Sequence, residues 1–170
     1  MPTTDKVAIV LACANRYAAL DPEFHTVLGP GSGDYRTRGF MANVGFDVLH
    51  ALRPLDGNTP WPVEAKICGN NSLAVDFYFQ DQATIVEIAL GLPNPASEFE
   101  KDILKALMAR HLGHDVRRLV FISRPGAVKK CQQPGRIAMI VWAAQKHDLA
   151  IDVLELEGVE RVRKRKSRKA

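Results

Sequence analysis

No apolar run in this chain reaches the ~20 residues needed to cross a bilayer, so no membrane-spanning helix is expected. Cysteine is scarce. Cys13, Cys68 and Cys131 are odd in number and far apart, and no C-x-x-C spacing occurs. That excludes a disulfide scaffold and a structural zinc site, and it points to a reducing, cytoplasmic compartment. A secretory leader is not legible either. Met1-Pro2-Thr3-Thr4-Asp5-Lys6 carries an acid and no Arg, and the apolar stretch behind it ends in Asn15-Arg16-Tyr17 without a small-residue cleavage site. The segment reads as a helix of the mature protein. No internal repeat, Ser-His-Asp or Cys-His arrangement is present. His25, His50 and His147 are isolated, and His111 and His114 straddle Gly113 with no Cys nearby. Gly29-Pro30-Gly31-Ser32-Gly33 lacks the Gly-Lys-Ser/Thr ending of a phosphate cradle and a strand before it, so it reads as a loop.

What the chain does have is an ordinary globular composition. Its 170 residues are 46% hydrophobic and 25% charged, enough for one domain with its own core. The net charge of +4 hides an asymmetry, because residues 161–170 hold seven bases and no acid. Of the 23 bases, 16 are left in residues 1–160 against 19 acids, a net charge of −3. We therefore expect a mildly acidic domain over 1–158, with a core at about 37–156 and a helical segment at 1–36. A basic, disordered tail follows at 159–170. Such a tail seeks polyanions, foremost nucleic acid. Its bases are Arg161, Arg163, Lys164, Arg165, Lys166, Arg168 and Lys169.

Periodicity divides the domain into elements. Thr4 is the expected N-cap of a first helix in which Val7, Leu11, Ala14 and Ala18 recur at helical spacing. A second helix is expected over 37–52, with Phe40, Val44, Val48 and Ala51 on one face. Alternation then changes to period two over 63–68, 73–79 and 84–90, with turns at Gly69-Asn70-Asn71 and Gln80-Asp81-Gln82, which predicts a three-stranded meander. Ser97 with Glu100 three residues on resembles a capping box, opening a third helix that Gly113 ends. The apolar run in 118–123 predicts a strand buried on both faces. A helix from about 134 to 146 and a strand over 151–156 complete the chain. The expected fold is α/β (α+β mixed), with a central mixed β-sheet, an antiparallel meander followed by βα units, and helices on both faces.

Asp76 and Glu87 are the only acids inside the second and third strands. They lie symmetrically about the turn centre Asp81-Gln82, so they should face each other with Cβ atoms roughly 5 Å apart. Two facing acids among apolar neighbours repel unless a cation lies between them. Their oxygens are hard ligands suited to Mg²⁺ or Mn²⁺. A slipped register or a shared proton would also relieve the repulsion.

The succession of helix, strand, strand bearing Asp, strand bearing Glu, helix and strand resembles the PD-(D/E)XK restriction-endonuclease-like superfamily. The likeness spans about 37–156 and rests on LAVDFYFQDQATIVEIALG and the ASEFEKDILKALMA helix that follows. It implies a metal-dependent endonuclease acting on DNA, with Asp76, Glu87 and the backbone carbonyl of Ile88 holding Mg²⁺ (or Mn²⁺). Small nucleases of this class often dimerise to cut two strands, so a homodimer is the assembly it suggests. The chain departs from the pattern at one place: the Lys expected two residues after the Glu is Ala89. Lys66 on the first meander strand and Lys101 in the following helix are the substitutes the sequence offers. Without either, the chain would be an inactive relative that binds nucleic acid. A rival frame, Asp56 with Glu64-Ala65-Lys66, spells the motif more literally. It ranks lower because Asp56-Gly57 is turn chemistry and Pro60 and Pro62 interrupt the strand. Asp47 is expected to be a solvent-facing helix residue, and Trp142 a core residue.

Overall fold

The computed structural model describes residues 4–21, 24–25, 35–52, 65–93 and 98–158. The tail bases from Arg161 to Lys169, the Asp56/Glu64 frame, the Gly29–Gly33 loop and Ser97 all lie outside these residues.

Five α-helices and one four-stranded sheet form the described fold. Helix α1 is Lys6–Leu20, and Asp5 rather than Thr4 caps it, accepting from the backbone N–H groups of Val7 and Ala8 at 3.0 and 3.3 Å. A carboxylate is the stronger cap because it also complements the positive end of the helix dipole. Helix α2 is Tyr35–Leu52, whose Phe40, Val44, Val48 and Leu52 recur every four residues and are buried. The strands are β1 Phe77–Phe79, β2 Thr84–Ile88, β3 Arg118–Ser123 and β4 Ala150–Glu155, in spatial order β1-β2-β3-β4. β1 and β2 are antiparallel, while β2, β3 and β4 are parallel. Parallel neighbours need crossovers. Helix α3 (Phe99–His111) makes the first, and helices α4 (Ala127–Cys131) and α5 (Pro134–His147) make the second.

The sheet is covered on both faces. α1 and α2 pack on Phe77, Phe79, Val86, Ile88, Val120 and Ile122. α3, α4 and α5 pack on Ile85, Leu119, Phe121 and Ile151. Alternation along β2 and β3 therefore serves two cores, which is why β3 reads as a continuous apolar run. α3 ends in a Schellman motif at Gly113, φ +93°, where His114 N–H bonds Ala109 O and Gly113 N–H bonds Arg110 O.

The expected meander is shorter than its pattern. Of 63–68, positions 63 and 64 lie outside the described residues, and only Ala65 pairs, with Val75, through bonds of 2.9 and 3.1 Å. β1 begins at Phe77 instead of 73 because the chain bends at Asp76. Val75 commits both backbone groups to Ala65, so the ladder with β2 stops at Phe77 opposite Val86. Nothing in the sequence pattern predicts helix α4. It is a single turn, entered through Gly126 in the left-handed region at φ +96°, and too short to show a period. Trp142 is 45% exposed and is not a core residue; Arg136 and Ala143 are the buried residues of α5. Asp47 is half-buried and pairs with Arg16 of α1 instead of facing solvent. All three cysteines are buried and free. Among the described residues, no helix is long and apolar enough to cross a membrane.

A buried carboxylate and lysine cluster as candidate active site

The β1–β2 register sets Phe77 opposite Val86, which carried back one residue sets Asp76 opposite Glu87. The bend turns the Asp76 carboxylate onto β2, where its Oδ2 accepts the Ile88 N–H at 2.7 Å. By register that N–H should bond a carbonyl of the β1 strand; Val75 is already taken, so the side chain supplies the acceptor. Glu87 lies on the same rung of β2 and projects with Ile85 toward α3, while Val86 and Ile88 face α1 and α2. The two carboxyls are close enough that each affects the ionisation of the other.

Helix α3 completes the cluster. Its buried stripe is Phe99, Asp102, Ile103, Lys105, Ala106 and Ala109, so an acid and a base stand where apolar residues are usual. Lys105 Nζ lies 2.6 Å from Glu87 Oε1 and 2.8 Å from Asp102 Oδ1, and it donates to Ala74 O at 2.9 Å. Glu87, Asp102 and Lys105 are 4%, 3% and 6% exposed. Asp76 as a whole residue is half-buried, but its carboxyl is enclosed.

Three acids share one base here, and their protonation follows. Burial raises Glu87 to about 9, reinforced by the charges of Asp76 and Asp102 and opposed by Lys105. Burial raises Asp76 to about 6, although the Ile88 N–H and Lys105 both favour its ionised form. Asp102 is also raised by burial, against the pull of Lys105. Burial lowers Lys105, but Glu87 and Asp102 outweigh it and hold the ammonium above its usual range. At neutral pH Glu87 therefore keeps its proton.

The two lysines the sequence offers stand apart from this cluster. Lys66 is exposed and makes no ion pair among the described residues. Lys101 is exposed and pairs with Glu98 at 3.1 Å. Lys105, one helical turn beyond Lys101, is the cation that meets Glu87. Its signal in the sequence is its place within the buried stripe, three residues after Asp102. Among the described residues, no three His, Cys, Asp or Glu side chains form a group that holds a metal. An open groove of about 640 Å³ between the C-terminal ends of α3 and α5, lined by Arg110, Lys146 and His147 among others, contains none of the cluster residues. No protein-family model, curated protein or solved structure matches this chain.

Proposed function

We propose that the protein is a metal-dependent endonuclease hydrolysing phosphodiester bonds in DNA, with Asp76, Glu87 and Lys105 as its catalytic residues. The observation that carries this reading is the Lys105 ammonium at 2.6 Å from Glu87, on the side of the sheet where Asp76 also converges. It supplies from a helix the cation missing at Ala89. The donor set fits a hard divalent ion: carboxylates of Asp76 and Glu87 and the Ile88 carbonyl, in a cluster with more acids than bases. Mg²⁺ or Mn²⁺ bound there would polarise the phosphate and acidify a bound water.

The chain's own groups divide the remaining work. Asp76 is anchored through Ile88 N–H, which fixes one carboxylate in direction. Glu87, raised to about 9, would have to release its proton to solvent before its carboxylate could hold a cation. Lys105 forms ion pairs with Glu87 and Asp102 and donates a hydrogen bond to Ala74 O. The neutral carbonyl is the weakest of these three partners of the ammonium. The donor on Ala74 O is therefore the one that turns to an incoming phosphate oxygen and stabilises charge building there. DNA as the substrate is supported by the seven bases in residues 161–170.

Supercoiled plasmid incubated with Mg²⁺ tests this reading. The wild type converts it to nicked and linear forms, and Asp76→Asn or Glu87→Gln abolishes the conversion with the fold intact. The near-complete burial of Glu87, Asp102 and Lys105 favours a second reading, an inactive relative that binds nucleic acid through other surfaces. Salt-dependent DNA binding, with no cutting of DNA or RNA in Mg²⁺ or Mn²⁺, would select it.

A further inference from the structure

Within the proposed reaction, we infer that Asp102 is a positioning residue that holds the Lys105 ammonium on Glu87. A Lys two residues after Glu87 on the same strand would share its face of the sheet without assistance, because side chains alternate. A Lys on a helix approaches from across the core on a stem of four rotatable bonds and must be aimed. Asp102 lies three residues earlier on α3, on the same face, with Oδ1 at 2.8 Å from Nζ. Nζ also pairs with Glu87 Oε1 at 2.6 Å and donates a hydrogen bond to Ala74 O at 2.9 Å, so the ammonium is held between two carboxylates and one carbonyl. Asp102 is 3% exposed, and a third buried acid beside Asp76 and Glu87 adds repulsion that apolar packing would avoid. A group retained at that cost acts through the cation it binds.

This inference rests on the endonuclease reading, and its test separates the two. With plasmid as substrate, Asp102→Asn lowers kcat by about 10²-fold while KM changes little, as expected when a reacting group is displaced by about an ångström. Asp102→Glu, which keeps the charge, restores part of the rate. In a Lys105→Gln background, Asp102→Asn has no further effect on kcat, whereas a merely structural role predicts that the two effects add. A readout independent of cleavage is amine labelling by acetic anhydride, followed by mass spectrometry. In the wild type Lys105 is protected relative to exposed Lys101, and in Asp102→Asn its labelling rises by about tenfold or more. If Asp102→Asn does not fold, Asp102→Glu with intermediate labelling and rate carries the same comparison. Unchanged Lys105 labelling in the variant, or additive reductions in kcat, would overturn the role of Asp102. Released labelling beside a wild type that cuts nothing overturns the endonuclease reading and leaves the tether standing.

Discussion

Glu87 holds its proton at neutral pH because burial and the neighbouring acids outweigh the attraction of Lys105. Stability then depends on pH with a definite sign. The carboxyl titrates near 4.5 when the chain is unfolded and at about 9 in the fold. Between those values the folded state binds the extra proton, so the contribution is full below the lower value and is lost as pH rises through the higher one. Asp76 acts in the same direction between 3.8 and about 6. Lys105 titrates above this window in both states. The melting temperature of metal-free protein should therefore fall by several degrees from pH 5 to pH 9, given roughly 2–4 °C per kcal/mol at this size. Glu87→Gln should flatten the profile. A wild-type profile flat over that range would contradict the buried protonated pair. Lys105→Met should destabilise by about 3–5 kcal/mol at pH 8, because it leaves buried acids without their cation. The effect should shrink at pH 5, where the acids neutralise themselves; chemical denaturation at the two pH values measures the difference.

The hairpin of β1 and β2 is the element that makes the site, and much of it is legible in the sequence. Alternation in 73–79 and 84–90 with one turn between them fixes the register, and that register is the observed pairing of Phe77 with Val86. The bend at Asp76 is not legible: alternation runs unbroken from 73 to 79, and it does not show that Val75 gives both backbone groups to Ala65 across the Gly69-Asn70-Asn71 turn and leaves β2. Lys105 is hidden for a related reason. A Lys in a helix ordinarily faces water, and only the packing of α3 on β2 shows that this one faces a carboxylate. Asp102 and Lys105 falling among Phe99, Ile103 and Ala106 is the trace that packing leaves in the sequence. The hairpin also separates the two roles of Asp76. Asp76→Asn keeps an acceptor for the Ile88 N–H, whereas Asp76→Ala leaves that donor without one. The Ala variant should be the less stable by about 1–3 kcal/mol, the cost of an unsatisfied buried donor. Equal denaturation midpoints for the two would mean that the bond does not hold the hairpin end.

At the scale of the whole molecule the parallel strands β2, β3 and β4 end together. Glu87 therefore shares a rung with Phe121 and Val153, near the end of β4 from which the chain runs on toward its basic residues. Those seven bases follow a net-negative remainder, so they should carry the sequence-independent part of DNA binding. Deleting 161–170 should weaken binding about equally for all sequences. It should also flatten log affinity against log salt, by up to about 0.9 for each phosphate that the tail no longer neutralises. An unchanged slope would remove the tail from the interface. In the proposed function, activity would depend on a different charge, the lysine inside the carboxylate cluster. The most direct test is the Mg²⁺-dependent nicking rate of Lys66→Gln, Lys101→Gln and Lys105→Gln beside the wild type, each checked for native circular dichroism. The exposed two should cut at the wild-type rate, and Lys105→Gln should fall by roughly 10²-fold or more, the scale of removing one stabilising donor from a buried site. Cutting by Lys105→Gln at the wild-type rate, or no cutting by any of the four in Mg²⁺ or Mn²⁺, would contradict the assignment of this cluster as a catalytic centre.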